Sequence, residues 1–407
     1  MILDRIKSLD WLLILPLLGL LGMGLVALYS TSQGASAIGN HFQTQLWWMA
    51  MGLGTMAIVS LLFPHRFIYD LTYLVYGLSV VLLILVFFFG LKEYGATRWL
   101  SIGGKTFQPS ELAKFATLLA LARFLSDERK DMNDPKNIAI ALAIIFLPAG
   151  LVFRQPDLGT ALVFGVIALP IFFWVGLHTR YLILVMWPVL TIFASFNTFT
   201  FVGIIIAITV YVFFWLKLSS ITRILYLLVN IGVGFAAPMA WDQLQDYQKQ
   251  RLLTFWNPEA DPLGAGYQII QSKVAIGSGG FLGKGFCEGS QTQLRFLPEQ
   301  HTDFIFAVIG EEWGFLGVLL GLLLFALFLS RLVYLASIFK SRFSSIIAVG
   351  FAVIIAFHMF VNIGMTIGLC PVTGLPLPFV SYGGTALLTN MAMVGLILNF
   401  YRHRFEY

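Results

Sequence analysis

Trp256-Asn257-Pro258-Glu259-Ala260-Asp261-Pro262-Leu263-Gly264-Ala265-Gly266-Tyr267-Gln268 opens a stretch that continues through Ser278-Gly279-Gly280 and Gly283-Lys284-Gly285. It closes on Leu297-Pro298-Glu299-Gln300-His301-Thr302-Asp303. Apolar runs flank it on both sides, whereas the stretch itself is polar, glycine-rich and dense in acids, bases and amides. A loop this long without helical period is uncommon in a compact domain, and is usually functional or disordered. Its aromatics, small residues and scarcity of low-complexity runs argue for order. The rest of the chain therefore reads as a scaffold that holds this loop.

That scaffold is apolar enough for lipid. Of 407 residues, 58% are hydrophobic and 11% charged, where soluble domains carry about 25% charged residues. A hydrocarbon core needs roughly 20 apolar residues per helix, and spans are predicted at about 11–31, 44–63, 67–91, 110–126, 137–153, 159–177, 181–197, 200–216, 222–241, 303–330, 343–369 and 382–401. The fold class is thus all-α, a polytopic bundle of about twelve spans in a single 1–407 domain with a large loop at 242–302. The first apolar run lacks a small-residue cleavage motif and reads as a retained span.

Alternation from a cytoplasmic N-terminus marked by Arg5 and Lys7 puts Arg66, Arg123, Arg129, Lys130, Lys136, Arg180, Lys217, Arg223, Arg331, Lys340, Arg342, Arg402 and Arg404 on one side. That is the positive-inside distribution, with both termini cytoplasmic. The net charge of +5 is explained by it and does not indicate a nucleic-acid partner. The loops at 92–109, 154–158, 242–302 and 370–381 fall on the outer side, and neither a P-loop nor a dinucleotide fingerprint occurs. The two cysteines, Cys287 and Cys370, make neither a metal site nor a disulfide framework and read as unrelated thiols.

Several groups of residues carry chemistry. Pro262 biases Asp261 toward extended backbone; Asp261 is either an Asx-turn cap or a carboxylate presented as a general base. The run Gln108-Pro109-Ser110-Glu111-Leu112-Ala113-Lys114 starts a span, with Ser110 as its expected N-cap. Lys114 lies three residues after Glu111 on the same face, at a depth where an ionisable group usually faces a cavity or a partner. Arg98 beside Trp99 is an interfacial anchor or a phosphate clamp. Asp157 suits an N-cap paired locally with Arg154, and at least one of Glu311 and Glu312 should face a polar cavity. Pro376-Leu377-Pro378-Phe379-Val380-Ser381-Tyr382-Gly383-Gly384 reads as a rigid loop that is buried in protein or lines water. An anionic, lipid-linked substrate entering from the bilayer would suit these groups.

The Asn257–Gln268 motif, Phe296–Phe306, Gln108–Glu111 and Pro376–Gly384 together resemble the SEDS family of bacterial shape, elongation, division and sporulation proteins. Gln271-Ser272-Lys273-Val274-Ala275-Ile276-Gly277 is similar to the elongation members more than the division members. The resemblance implies a peptidoglycan glycosyltransferase of the bacterial cytoplasmic membrane that polymerises lipid II on the outer face during elongation. A class B penicillin-binding protein, elongation-complex proteins and membrane lipids are the implied partners. It makes Asp261 the catalytic residue and Arg98, Gln108, Glu111, Lys114, His301 and Ser381 substrate-binding candidates. A divalent cation, Mg or Mn, is compatible with a pyrophosphate leaving group, but the sequence singles out no ligand set. Family members typically have ten spans, so 181–241 is expected to hold an added helix pair. The alternative is a lipid II flippase, for which intramembrane Lys114, Glu311 and Glu312 would serve transport.

Overall fold

The computed structural model describes residues 8–33, 41–93, 96–102, 105–216, 218–244, 246–258, 261–262, 264 and 266–404. Arg5, Lys7 and Lys217 of the cytoplasmic set, and Glu259, Ala260, Leu263 and Ala265 of the opening motif, lie outside the described residues. Helices α1 (Trp11–Gln33), α2 (His41–Leu62) and α3 (His65–Phe89) lead into an antiparallel meander, β1 (Leu91–Glu93), β2 (Ala96–Ile102) and β3 (Lys105–Phe107). Then come α4 (Pro109–Leu125), α5 (Pro135–Phe153), α6 (Leu158–Val166), α7 (Ala168–Trp174), α8 (Thr179–Ala194), α9 (Thr198–Phe214) and α10 (Ser220–Gln243). Three short helices follow, α11 (Asp246–Trp256), α12 (Tyr267–Gly279) and α13 (Ser290–Gln293), before α14 (Ile305–Ile338), α15 (Arg342–Ile367) and α16 (Gly384–Arg402).

Helix occurs at every one of the predicted span positions. Among the described residues, eight helices are long and apolar enough to cross a membrane, and Leu158–Trp174, Thr179–Ala194 and Thr198–Phe214 are shorter apolar helices. The chain is a multi-pass helical membrane bundle. The segment 242–302 departs from expectation, since α11 and α12 occupy much of what reads as irregular loop. The Gly277-Ser278-Gly279-Gly280 run is a helix end, with Gly280 at φ 56.

Burial separates core helices from peripheral ones. In α15 and α16, 67% of the span window is buried, against 11% in α10, so the first two are central and the last faces lipid. Helix α4 is buried almost all round, as Ala113, Ala116, Leu118, Leu121 and Leu125 show; a helix apolar on every face belongs inside a bundle. Helices α8, α9 and α10 pack on one another around their own cluster of Ile208, Val212, Leu216 and Leu218.

Side-chain contacts sort the two ends. Arg123 donates to the Tyr69 and Asp70 carbonyls, Arg402 to Leu61 and Arg342 to Val175, while Arg331 pairs with Asp10 at 2.5 Å. These cations share one end of the bundle. The meander, residues 154–157, 301–303 and 371–383 share the other.

The expected polar cavity at Glu311 and Glu312 is replaced by a structural clamp. Helix α14 breaks at Gly314 (φ 62, ψ −155), and a Cβ there would sit 2.3 Å from the Gly283 nitrogen, so only glycine allows the approach. Across the break Lys284 N donates to Glu311 O (3.0 Å) and Gly285 N to Glu312 O (3.1 Å). The Glu311 carboxylate accepts from Lys284 Nζ (2.8 Å), Gln291 N (2.8 Å), Thr292 N (3.0 Å) and Thr292 Oγ1 (2.8 Å). Glu312 accepts from Ser30 Oγ and Gln293 Nε2. Both acids therefore staple the 280–293 segment to α14. Glu311→Ala strands two backbone N–H donors, and each buried donor left unsatisfied costs about 1–3 kcal/mol. A pronounced drop in melting temperature in detergent is the expected result.

Candidate active site

Pro109 occupies the first helical position of α4, where its missing N–H costs nothing. The N-cap is therefore Gln108, not Ser110, which is buried within the first turn. This start places Gln108, Glu111 and Lys114 three residues apart along one face. Lys114 does not snorkel: it is 2% exposed. Its Nζ donates to Glu111 Oε1 (2.9 Å) and contacts His358 Nε2 (3.0 Å), from α15. His358 Nδ1 lies 3.2 Å from the Pro376 carbonyl. Glu111, His358, Pro376, Leu377, Ser381 and Asn390 line a small cavity of about 10 Å³, room for about one water.

Residues 377–381 of the irregular 371–383 segment are buried, as polar backbone inside a membrane bundle requires. Ser381 Oγ accepts from Leu377 N (2.9 Å) and donates to Thr302 O (2.6 Å). Tyr382 N donates to His301 O (3.0 Å), and Asn362 Nδ2 bridges Asp303 O (2.9 Å) and Leu375 O (2.8 Å). Ser381 thus lines the cavity with its hydroxyl already engaged by the loop backbone. The same bonds tie the end of the 256–303 stretch to the cavity roof.

Arg98 reaches from β2 to the start of α6. Its Nη2 donates to the Pro156 carbonyl, and its Nη1 lies 3.8 Å from Asp157 Oδ1. Asp157 caps α6 as predicted, accepting from Thr160 N (3.2 Å). Its cationic partner is Arg98 from the meander rather than the adjacent Arg154, because the hairpin folds back over the α5–α6 turn. Gln108 Nε2 also reaches Asp157 Oδ2 (3.4 Å), so Arg98 and Gln108 share one carboxylate. Arg98 Nε, buried, has no acceptor among the described residues.

His301 stacks on His41 with ring centroids 4.2 Å apart. Burial, with His41 and Arg295 adding to it, pushes the His301 imidazole down to about 4. It is neutral at pH 7. Burial also raises the neighbouring Asp303 carboxyl to about 6, against the pull of Arg251 and Arg98.

Asp261 is half-buried at a turn in which Gly266 N donates to Asp261 O (3.0 Å). A Cβ on Gly264 would lie 2.2 Å from Asp261 Oδ2, so the glycine makes room for the carboxylate. The turn feeds α12, whose Ser272 Oγ donates to Thr366 O (2.8 Å) at the end of α15. His358 is eight residues earlier on that helix, about 12 Å along its axis. Lys114 is held by Glu111 and His358, not by Asp261. The carboxylate and the cation are thus carried by separate elements at one end of the bundle.

Residues 10–202 and 200–406 match the FtsW/RodA/SpoVE family of cell cycle proteins. The chain belongs to this family. It is 39% identical over 402 residues to peptidoglycan glycosyltransferase MrdB of Escherichia coli (strain K12), covering 97% of this chain and 94% of MrdB. Peptidoglycan glycosyltransferase RodA of Treponema pallidum (strain Nichols) is 36% identical over 429 residues, with 97% and 98% covered. The fold is similar to a chain in a solved structure on polymerization and crosslinking by a peptidoglycan synthase complex, with a TM-score of 0.74, 30% identity, and 98% and 99% covered.

Within this FtsW/RodA/SpoVE chain, sequence reasoning missed His358. The available signal was an ionisable residue within an apolar span, which marks an interior site by default. Cys287 and Cys370 are free thiols. Among the described residues no three His, Cys, Asp or Glu side chains converge on a metal-sized site. Mg²⁺ is commonly held by one or two carboxylates plus phosphate oxygens, so a protein cage is not a requirement for the expected cation.

Proposed function

We propose that this chain polymerises lipid II on the outer face of the bacterial cytoplasmic membrane, as the glycosyltransferase of an elongation complex with a class B penicillin-binding protein. The observation that carries the reading is the buried Lys114 ammonium, held under the 376–383 loop at the end where the Asp261 turn lies. Asp261 takes the proton from the acceptor GlcNAc 4-hydroxyl as that oxygen attacks the anomeric carbon of the donor MurNAc. The bond from that carbon to the phosphate oxygen breaks with inversion. Undecaprenyl pyrophosphate leaves with the electron pair, and Lys114 and Arg98 steady its charge. Glu111 holds Lys114, Gln108 and Arg98 share the Asp157 carboxylate, and neutral His301 supplies a hydrogen bond.

In this reading all the helices over the predicted positions span, with both termini and the cationic end cytoplasmic. Two of the three helices over 181–241 are the added pair, and the chain is one domain carrying the 242–302 outer segment. The flippase alternative is not favoured. Its sites should lie near the bilayer midplane, whereas the polar groups here gather at one end, and the relatives bear glycosyltransferase names. Liposomes carrying fluorescent lipid II separate the two readings. Glycan should accumulate at the accessible face while inner-leaflet lipid II stays protected from a membrane-impermeant quencher. Rapid loss of that protection without polymer would assign transport instead.

A further inference from the structure

Among the described residues, Lys114 has three N–H donors and two protein partners, Glu111 Oε1 and His358 Nε2. An ammonium only donates, so His358 Nε2 must be the acceptor and carry no proton. The other ring nitrogen, Nδ1, then carries the hydrogen and donates to the Pro376 carbonyl. One neutral tautomer satisfies both contacts, and no other protonation state of the ring does so beside a charged lysine. Pro376 opens the loop that Ser381 and Tyr382 lock to Thr302 and His301. His358 therefore joins the cavity roof to the ammonium through two bonds of opposite sense.

We propose that His358 is a positioning residue for glycosyl transfer: it steers the Lys114 ammonium so that its third N–H points to the leaving pyrophosphate. This rests on the reading of Lys114 as a leaving-group contact given above. Glu111 alone fixes one N–H direction and leaves the ammonium free to rotate about it. A second acceptor from α15 removes that freedom and aims the remaining donor. His358 contacts Lys114 and the Pro376 carbonyl, so a role exerted through the lysine should fall on kcat more than on KM, as the leaving group gains charge in the transition state.

Two amide replacements separate this role from simple core filling. In His358→Gln the amide reaches the position of Nε2 and can accept from Lys114. In His358→Asn it reaches only the position of Nδ1, keeping a donor for Pro376 but losing the lysine. Both are polar, smaller than histidine and compatible with the cavity. Polymerisation of labelled lipid II by each purified variant, with its partner enzyme, should leave His358→Gln within about threefold of wild type in kcat. His358→Asn should fall by about tenfold or more, since small misplacements of a catalytic group cost up to roughly 10²-fold. KM should change little in either, and melting temperatures should agree. Equal activity of the two variants, whether both high or both low, would overturn the proposal. Lys114→Met is run alongside: if it polymerises normally the underlying reading of Lys114 fails, whereas a dead Lys114→Met with an active His358→Asn removes only the role of His358.

Discussion

Asp261→Asn should cut lipid II polymerisation by about 10²–10⁴-fold, the range that one positioned general base supplies. The amide has nearly the shape of the carboxylate and fits the space that Gly264 leaves beside it. The turn bonds from Gly264 and Gly266 go to the backbone oxygen of residue 261, not to its side chain. The variant should accordingly fold, insert and melt like wild type. What it loses is basicity: a neutral amide cannot take the proton from the acceptor hydroxyl. Initial rates by gel-resolved glycan, with melting curves on the same preparations, check it. Wild-type rates in a well-folded Asp261→Asn protein would return Asp261 to the role of an Asx-turn cap.

Lys114→Met should be comparably damaging, for two separable reasons. Methionine fills the aliphatic volume of the lysine, but Glu111 is then buried without its cation and His358 Nε2 without its donor. Breaking a buried pair on one side costs about 3–5 kcal/mol, whereas neutralising both sides can be almost free. The Glu111→Gln/Lys114→Met double variant should therefore recover most of the lost melting temperature. It should not recover polymerisation, because the donor facing the departing pyrophosphate is still missing, and removal of one such donor costs about 10²–10³-fold in kcat. Recovery of activity together with stability would make the pair a structural element alone.

The sequence made the helical layout legible because twenty-residue apolar runs punctuated by cationic loops leave few other solutions. It also located the pair Glu111 and Lys114, since three-residue spacing on a helix puts two side chains on one face. What it could not show depends on elements far apart in the chain. His358 meets Lys114 across 244 positions, and Arg98 finds Asp157 across the meander rather than Arg154 finding its neighbour. The strands β1 to β3 are three to seven residues long, too short for period-two alternation to stand out beside Gly and Lys. Helices α11 and α12 escaped for a different reason. They lie in a polar segment, where helical period is weak, and α12 is held by docking on α14 and α15 through contacts such as Ser272 with Thr366. Glu311 and Glu312 looked like cavity acids because a carboxylate in a span needs polar company. Their company proved to be the chain's own 284–293 turn.

The most direct measurement is glycan formation from labelled lipid II by the purified wild-type chain with its class B penicillin-binding protein in detergent, where no bilayer exists to transport across. A ladder of glycan polymers, dependent on this chain and unaffected by blocking the partner's crosslinking activity, is the expected result. Unreacted lipid II after prolonged incubation with both proteins folded and associated would contradict glycosyl transfer by this chain.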